Sequence, residues 1–294
     1  MGIILGLTGA ICWGVADFIA RFASQRIGAY RTTFFAQFFG FSALTALLVW
    51  SVGVSQCVAP GWHPWALAAL AGVINAVGSL ALYHSFQIGT MSIVAPVSSS
   101  YPALTVILAL VCGERIHSIR GAGLFLVFAG VILAATSFSA DPNYPSSGEQ
   151  QRPRARLSRG VGWAILAALC FGIQFWYLGF VVVPLVGALI SVWVIRMSTF
   201  ASLAIAALPA RQSIQLPRGR VWWMLAAVGL IDTSAFVANN AGLHIGQISS
   251  VTVLSSLYGA VTVLLSWIFL REKVERSQWF GIVLIFIGII LVSL

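Results

Sequence analysis

The chain has 294 residues, of which 60% are hydrophobic and 8% charged, with a formal net charge of +9 and a mean hydropathy of +0.97. A soluble domain carries about 25% charged residues, so a soluble globular protein is excluded. The positive charge is not a nucleic-acid footprint either, because the basic residues fall between long apolar runs, as the topology signals of a membrane protein do.

A hydrocarbon core about 30 Å thick is spanned by about 20 helical residues at about 1.5 Å each. Ten runs meet that requirement. The first, 2–22, lacks the basic leader of a secretory signal and is expected to be a retained helix. It carries the stripe Gly2, Gly6, Ala10 and Gly14, a face on which two helices approach closely. Asp17 lies near its end with Arg21 four residues on, the spacing of a same-face ion pair, so Asp17 is expected to be structurally paired. The second run, 31–54, contains Gln37. The third, 65–87, contains Asn75 and ends in Tyr83-His84. The fourth, 91–113, presents Ser98, Tyr101 and Thr105 on one face, and the fifth, 119–139, is glycine-bearing.

Residues 140–158 differ. They are rich in Pro and Ser, carry Arg152, Arg154 and Arg156, and are expected to form a flexible basic linker. Beyond it, 160–180 repeats the small-residue stripe and carries Trp163, Gln174 and Trp176. Run 183–208 contains Arg196, and 220–243 presents Asp232, Phe236, Asn239 and Asn240 on one face. Run 247–270 offers Ser255, Tyr258 and Thr262, and 276–294 closes the chain.

The two sides of the linker are related. A shift of 157 aligns Ser98-Ser99 with Ser255-Ser256, Tyr101 with Tyr258, Thr105-Val106 with Thr262-Val263, and Asn75 with Asp232. A shift of 158 pairs Gly2, Ala10, Cys12 and Gly14 with Gly160, Ala168, Cys170 and Gly172, and Glu114, Gly123 and Gly130 with Glu272, Gly281 and Gly288. Five spans per half is odd, so the second half enters the membrane in the opposite sense. The expected fold is all-α: ten transmembrane helices as two inverted five-helix repeats, 1–139 and 159–294, around a central cavity.

Cys12-Trp13-Gly14 in the first run and Gly113-Glu114-Arg115-Ile116 at the end of the fourth, repeated in plan after the linker, resemble the drug/metabolite transporter superfamily, EamA type. The counterpart of Gly113-Glu114 here is Arg271-Glu272. Arg196 looks like an arginine the family often carries, although its first-half equivalent is Gln37. The resemblance implies a cavity lined mainly by spans 1, 3, 4, 6, 8 and 9, export of amino acids and related metabolites, and cytoplasmic termini.

Ionisable residues inside a membrane point to function, since a carboxylate at bilayer centre costs at least about 2.5–3.5 kcal/mol. Asp232 has no Lys or Arg within a helical turn and is expected to be the most function-critical carboxylate, with a packing role as the alternative. Ser98, Tyr101 and Tyr258 offer hydroxyls that bind without net charge, or else hydrogen-bond between helices. Trp13, Tyr83, His84, Gln174 and Asn239 complete the expected substrate site. A histidine titrates near neutral pH, though a lone one also serves as a plain hydrogen-bonding partner. The four cysteines are scattered without metal or redox spacing.

The sequence lacks His-Glu-x-x-His, Gly-x-Ser-x-Gly and Walker A motifs, and paired aspartates on facing helices are not expected. An enzyme and direct ATP drive are therefore disfavoured. The expectation is a monomeric secondary transporter of the cell membrane, exporting amino acids or similar small polar metabolites by alternating access. It needs no cofactor or metal, and its coupling to protons is open. The alternative is a multidrug or other metabolite carrier, such as one for nucleotide sugars.

Thirteen of the 16 Lys and Arg fall in odd-numbered connections, two (Arg115 and Arg120) in even ones, and Arg196 within a span. The positive-inside rule then places the linker in the cytoplasm and both termini outside, opposite to what the resemblance implies. A C-terminal reporter active only in the cytoplasm is expected to be silent; a signal from it reverses the assignment.

Overall fold

The computed structural model describes residues 2–51, 61–111, 118–137, 156–209, 211–212, 214–244, 251, 254–272 and 274–293. The first half comprises α1 (Gly2–Ile27), α2 (Ala29–Ser51), α3 (His63–Ile88), α4 (Met91–Ser99), α5 (Tyr101–Val111) and α6 (Ser118–Ala135). The second comprises α7 (Val161–Tyr177), α8 (Val183–Val186), α9 (Ala188–Ala207), α10 (Arg220–His244), α11 (Tyr258–Leu265) and α12 (Arg276–Ser293). Two strands, β1 (Thr136–Ser137) and β2 (Arg156–Leu157), pair antiparallel across the ends of the linker. Most of that linker, and Gly113-Glu114-Arg115-Ile116 apart from Val111 before it, lie outside the described residues.

These elements form the ten expected spans, with three corrections. Helix α1 runs on to Ile27, so Asp17 sits ten residues, about 15 Å, from its end, at the depth of the bilayer centre rather than near its edge. The sixth span does not stop at residue 180. A π-helical turn, Leu178–Val182, carries it into α8, and the chain reverses at Gly187 with φ +80°. Only glycine adopts such a backbone without steric cost, and hydropathy is blind to it because the apolar run continues through the turn.

The fourth span is not continuous. It breaks at Ser100 between α4 and α5, where Pro102 has no N–H to offer the preceding turn. The hydroxyls of Ser98, Ser99 and Ser100 donate to the carbonyls of Ala95, Pro96 and Val97 at 2.9, 3.0 and 2.7 Å. Span 9 turns at Leu257, immediately before Tyr258, the repeat equivalent of Tyr101.

The halves pack through reciprocal contacts. A Cβ on Gly14 of α1 would lie 3.1 Å from the Tyr258 carbonyl, and one on Gly172 of α7 would lie 3.0 Å from the Tyr101 carbonyl. Thr105 donates to the Gly172 carbonyl at 3.1 Å and Thr262 to the Gly14 carbonyl at 3.4 Å, so both threonines bond between helices. In α6 and α12, Gly130 approaches Gly281 and Gly123 approaches Gly288, with added Cβ atoms 2.7 and 2.8 Å from the facing carbonyls. The outer faces stay apolar, as lipid contact demands: Phe125 is 72% exposed and Ile205 74%.

Gly281→Ala is expected to cost about 1–3 kcal/mol through overpacking, lowering the thermal midpoint in detergent. Gly162→Ala, where an added Cβ meets nothing within 4 Å, is expected to leave it unchanged. Equal midpoints for the two variants would count against this close helix contact.

Candidate functional site

A cavity lies between the halves, walled by α1, α3, α5, α7, α10 and α11. These are spans 1, 3, 4, 6, 8 and 9. Its lining follows the repeat. Trp13 answers to Phe171 and Asp17 to Phe175 at a shift of 158. Asn75 answers to Asp232, Ser79 to Phe236 and Tyr101 to Tyr258 at 157. Leu82 and Tyr83 complete it. Phe171 and Phe175 were missed by sequence reasoning, yet the repeat shift applied to Trp13 and Asp17 points to each; Phe236 was placed on the Asp232 face but not expected at the site.

Asp232 is the midpoint of α10, twelve residues from either end. Its carboxylate accepts from Trp13 Nε1 at 2.9 Å and from Arg196 Nη1 at 2.6 Å, in an ion pair whose arginine is 1% exposed. The same Nη1 donates to Gln37 Oε1 at 2.8 Å, and the guanidinium lies 4.6 Å over the Phe236 ring. Arg196 thus has three partners, Asp232, Gln37 and Phe236.

The expected Asp17–Arg21 pair does not form. Arg21 instead holds Glu272 at 2.9 Å and donates to the Gly89 carbonyl at 3.3 Å. Glu272 accepts from the amides of Met91 and Ser92 at 3.2 and 2.8 Å and from the Ser92 hydroxyl at 2.8 Å, capping the start of α4 from the other half. Helical spacing cannot show that a carboxylate remote in sequence competes for Arg21. Asp17 is left 5% exposed, its Oδ2 without a hydrogen-bond partner, lining the same cavity as Asp232. The two aspartates therefore do share a site, contrary to expectation. Asp232 is committed to Arg196, and the two do not form an acid–base dyad.

Of the residues proposed from the sequence for a substrate site, Trp13, Tyr83, Tyr101, Asp232 and Tyr258 line the cavity. Other expected residues stand behind that wall. Ser98 accepts from the Tyr258 hydroxyl at 3.4 Å, while Tyr101 is turned toward Ser255, the repeat equivalent of Ser98. Gln174 donates to Asn75 Oδ1 at 3.2 Å, and Asn75 donates to Thr199 at 3.2 Å. Asn239 bonds Asn240, which reaches Ser191 at 3.0 Å. His84 packs edge-on against Trp163, centroids 4.9 Å apart, on the outer side of α3. Among the described residues no three His, Cys, Asp or Glu converge as a metal site.

The EamA-like transporter family matches residues 1–136 and 158–294. The chain belongs to this family. A solved crystal structure, 16% identical, superposes with a TM-score of 0.64 over 99% of this chain and 95% of its own, and so shares the fold. An uncharacterized protein of Methanocaldococcus jannaschii is 27% identical over 136 residues, which are 46% of this chain and 96% of that protein. That relative is about one EamA-like repeat long. The family is one of membrane transporters, which sets a small-molecule solute and a lipid bilayer as the partners of this chain.

Removing one partner of a buried ion pair costs about 3–5 kcal/mol, because the other charge is stranded. Arg196→Met is therefore expected to lower the melting midpoint strongly, and Arg196→Met with Asp232→Asn to recover much of the loss. If the double variant melts below the single one, the pair is not the dominant interaction of Arg196.

Proposed function

We propose that the protein is a secondary carrier of the cell membrane, exporting a small polar metabolite of the amino-acid and amine class by alternating access. The observation that carries this reading is a cavity whose walls are the same positions of two inverted halves. Inverted repeats provide two related conformations, one open to each side, by rocking about a fixed central site.

The arrangement at one end supports it. Arg21, Glu272 and the start of α4 are tied together on the side of the chain's odd-numbered connections, where most of the Lys and Arg fall. Gly179 stands at the position equivalent to Arg21 in the second half. The ion pair joins α1 to the loop before α12, so its separation accompanies opening on this side. The mainly aromatic lining also supports the second reading, a carrier of more apolar amines or drugs.

Reconstituted into liposomes as a monomer, the protein is expected to show saturable uptake and counterflow when unlabelled solute is preloaded. Flux linear in concentration, without counterflow, would identify a pore and end the carrier reading. An inward proton gradient tests coupling in the same preparation: acceleration of export supports it, and an unchanged rate identifies a facilitative carrier.

A further inference from the structure

We propose that the central cavity takes an organic monocation, a protonated amine on an apolar body with no carboxylate of its own, and that Asp17 is its counter-ion. The carrier reading is assumed for transport but not for binding.

The argument begins with charge. Two carboxylates line the cavity. Asp232 is neutralised in place by Arg196, with Trp13 Nε1 satisfying its second oxygen. Asp17 has no such partner among the described residues. The cation four residues along its own helix is held by Glu272, and Oδ2 is buried without a hydrogen bond there. With Asp17 ionised, Asp17, Asp232 and Arg196 leave the site one positive charge short. An isolated ion out of water is costly unless something pairs with it, and a bound monocation supplies that pairing.

The walls suit the same ligand. Trp13 meets Phe175, Phe236 and Tyr258 edge-on at centroid distances of 5.7, 5.2 and 6.1 Å. Tyr101 stacks on Phe175 at 4.8 Å. Aromatic faces attract cations through their quadrupole and present apolar surface to the body of the ligand. One face of Phe236 already serves Arg196 in this way.

A zwitterion fits less well. Its carboxylate would need a cation or free N–H donors, but the unpartnered Nε and Nη2 of Arg196 are buried in a residue that is 1% exposed and does not line the cavity. Trp13 Nε1 is given to Asp232 and one N–H of the Asn75 amide to Thr199. What remains is the second amide N–H and a few hydroxyls beside two carboxylates, which repel a third.

The test compares three probes sharing one ring, phenethylamine, phenylalanine and phenylacetate, by calorimetry on the full chain in nanodiscs. Phenethylamine is expected to bind at least tenfold more tightly than phenylalanine, and phenylacetate not at all. Asp17→Asn is expected to weaken phenethylamine at least tenfold, and Asp17→Glu to restore part of it. Phenylalanine or phenylacetate binding as tightly as the amine would overturn the proposal. So would a monodisperse Asp17→Asn protein that keeps its affinity within threefold, or no binding of any probe at millimolar concentration. If Asp17→Asn does not fold, the probe order on the unaltered chain decides. Asp17-dependent amine binding without counterflow would retire the carrier reading and keep this one. Counterflow of phenylalanine with no amine preference would do the reverse.

Discussion

A backbone interrupted inside a bilayer has no water to turn to, so its amides and carbonyls must be satisfied by the protein itself. This chain interrupts span 4 at Ser100, beside the cavity, and much of the architecture follows from meeting that demand. Three consecutive serine hydroxyls fold back onto carbonyls of the preceding turn. Glu272 reaches from the opposite half to cap the amides at the start of α4, and in doing so draws Arg21 away from Asp17. The environment of Asp17 is thus a downstream result of how a broken helix is capped at Met91 and Ser92, ahead of its break at Ser100.

The break also sets where the two tyrosines stand. Tyr101 and Tyr258 each open the helix that follows an irregular turn, which lets both rings meet in the centre, 6.5 Å apart and nearly parallel. In an uninterrupted helix the polar face Ser98, Tyr101 and Thr105 would be one stripe with one role. Here it divides. The serines serve the break and the opposite tyrosine, the tyrosines face the cavity, and the threonines tie α5 to α7 and α11 to α1.

Much of this was legible in the sequence because the bilayer leaves few options. Apolar length fixes the number of spans, and matched residues such as Tyr101 with Tyr258 reveal the inverted repeat. The six cavity-lining spans implied by the family resemblance are those that form the walls. What was illegible involves competition between elements remote in the chain. Helical spacing points Arg21 to Asp17, yet the fold brings Glu272 to it. Gln174 and Asn239 are polar and deep, but their hydrogen bonds to Asn75 and Asn240 place them behind the wall. His84 lies next to a lining tyrosine and faces the other way, because adjacent helical residues point about 100° apart. The end of span 6 was misplaced because a π-helical turn changes geometry without changing hydropathy.

Gln37 and Arg196 are equivalent residues of the two halves, and they touch, with Nη1 2.8 Å from Oε1. Two equivalent positions in contact lie astride the pseudo-symmetry axis. In an assembly of two identical halves, that location would have to hold the same side chain twice: paired arginines would repel at close range, and paired glutamines would bring no charge. Joining the halves in one polypeptide lifts the restriction. A single guanidinium can then occupy the axis and lean to one side, toward Asp232 rather than toward its counterpart Asn75. Covalent fusion thereby gives the central chamber a polarity that no symmetric dimer of this architecture could possess.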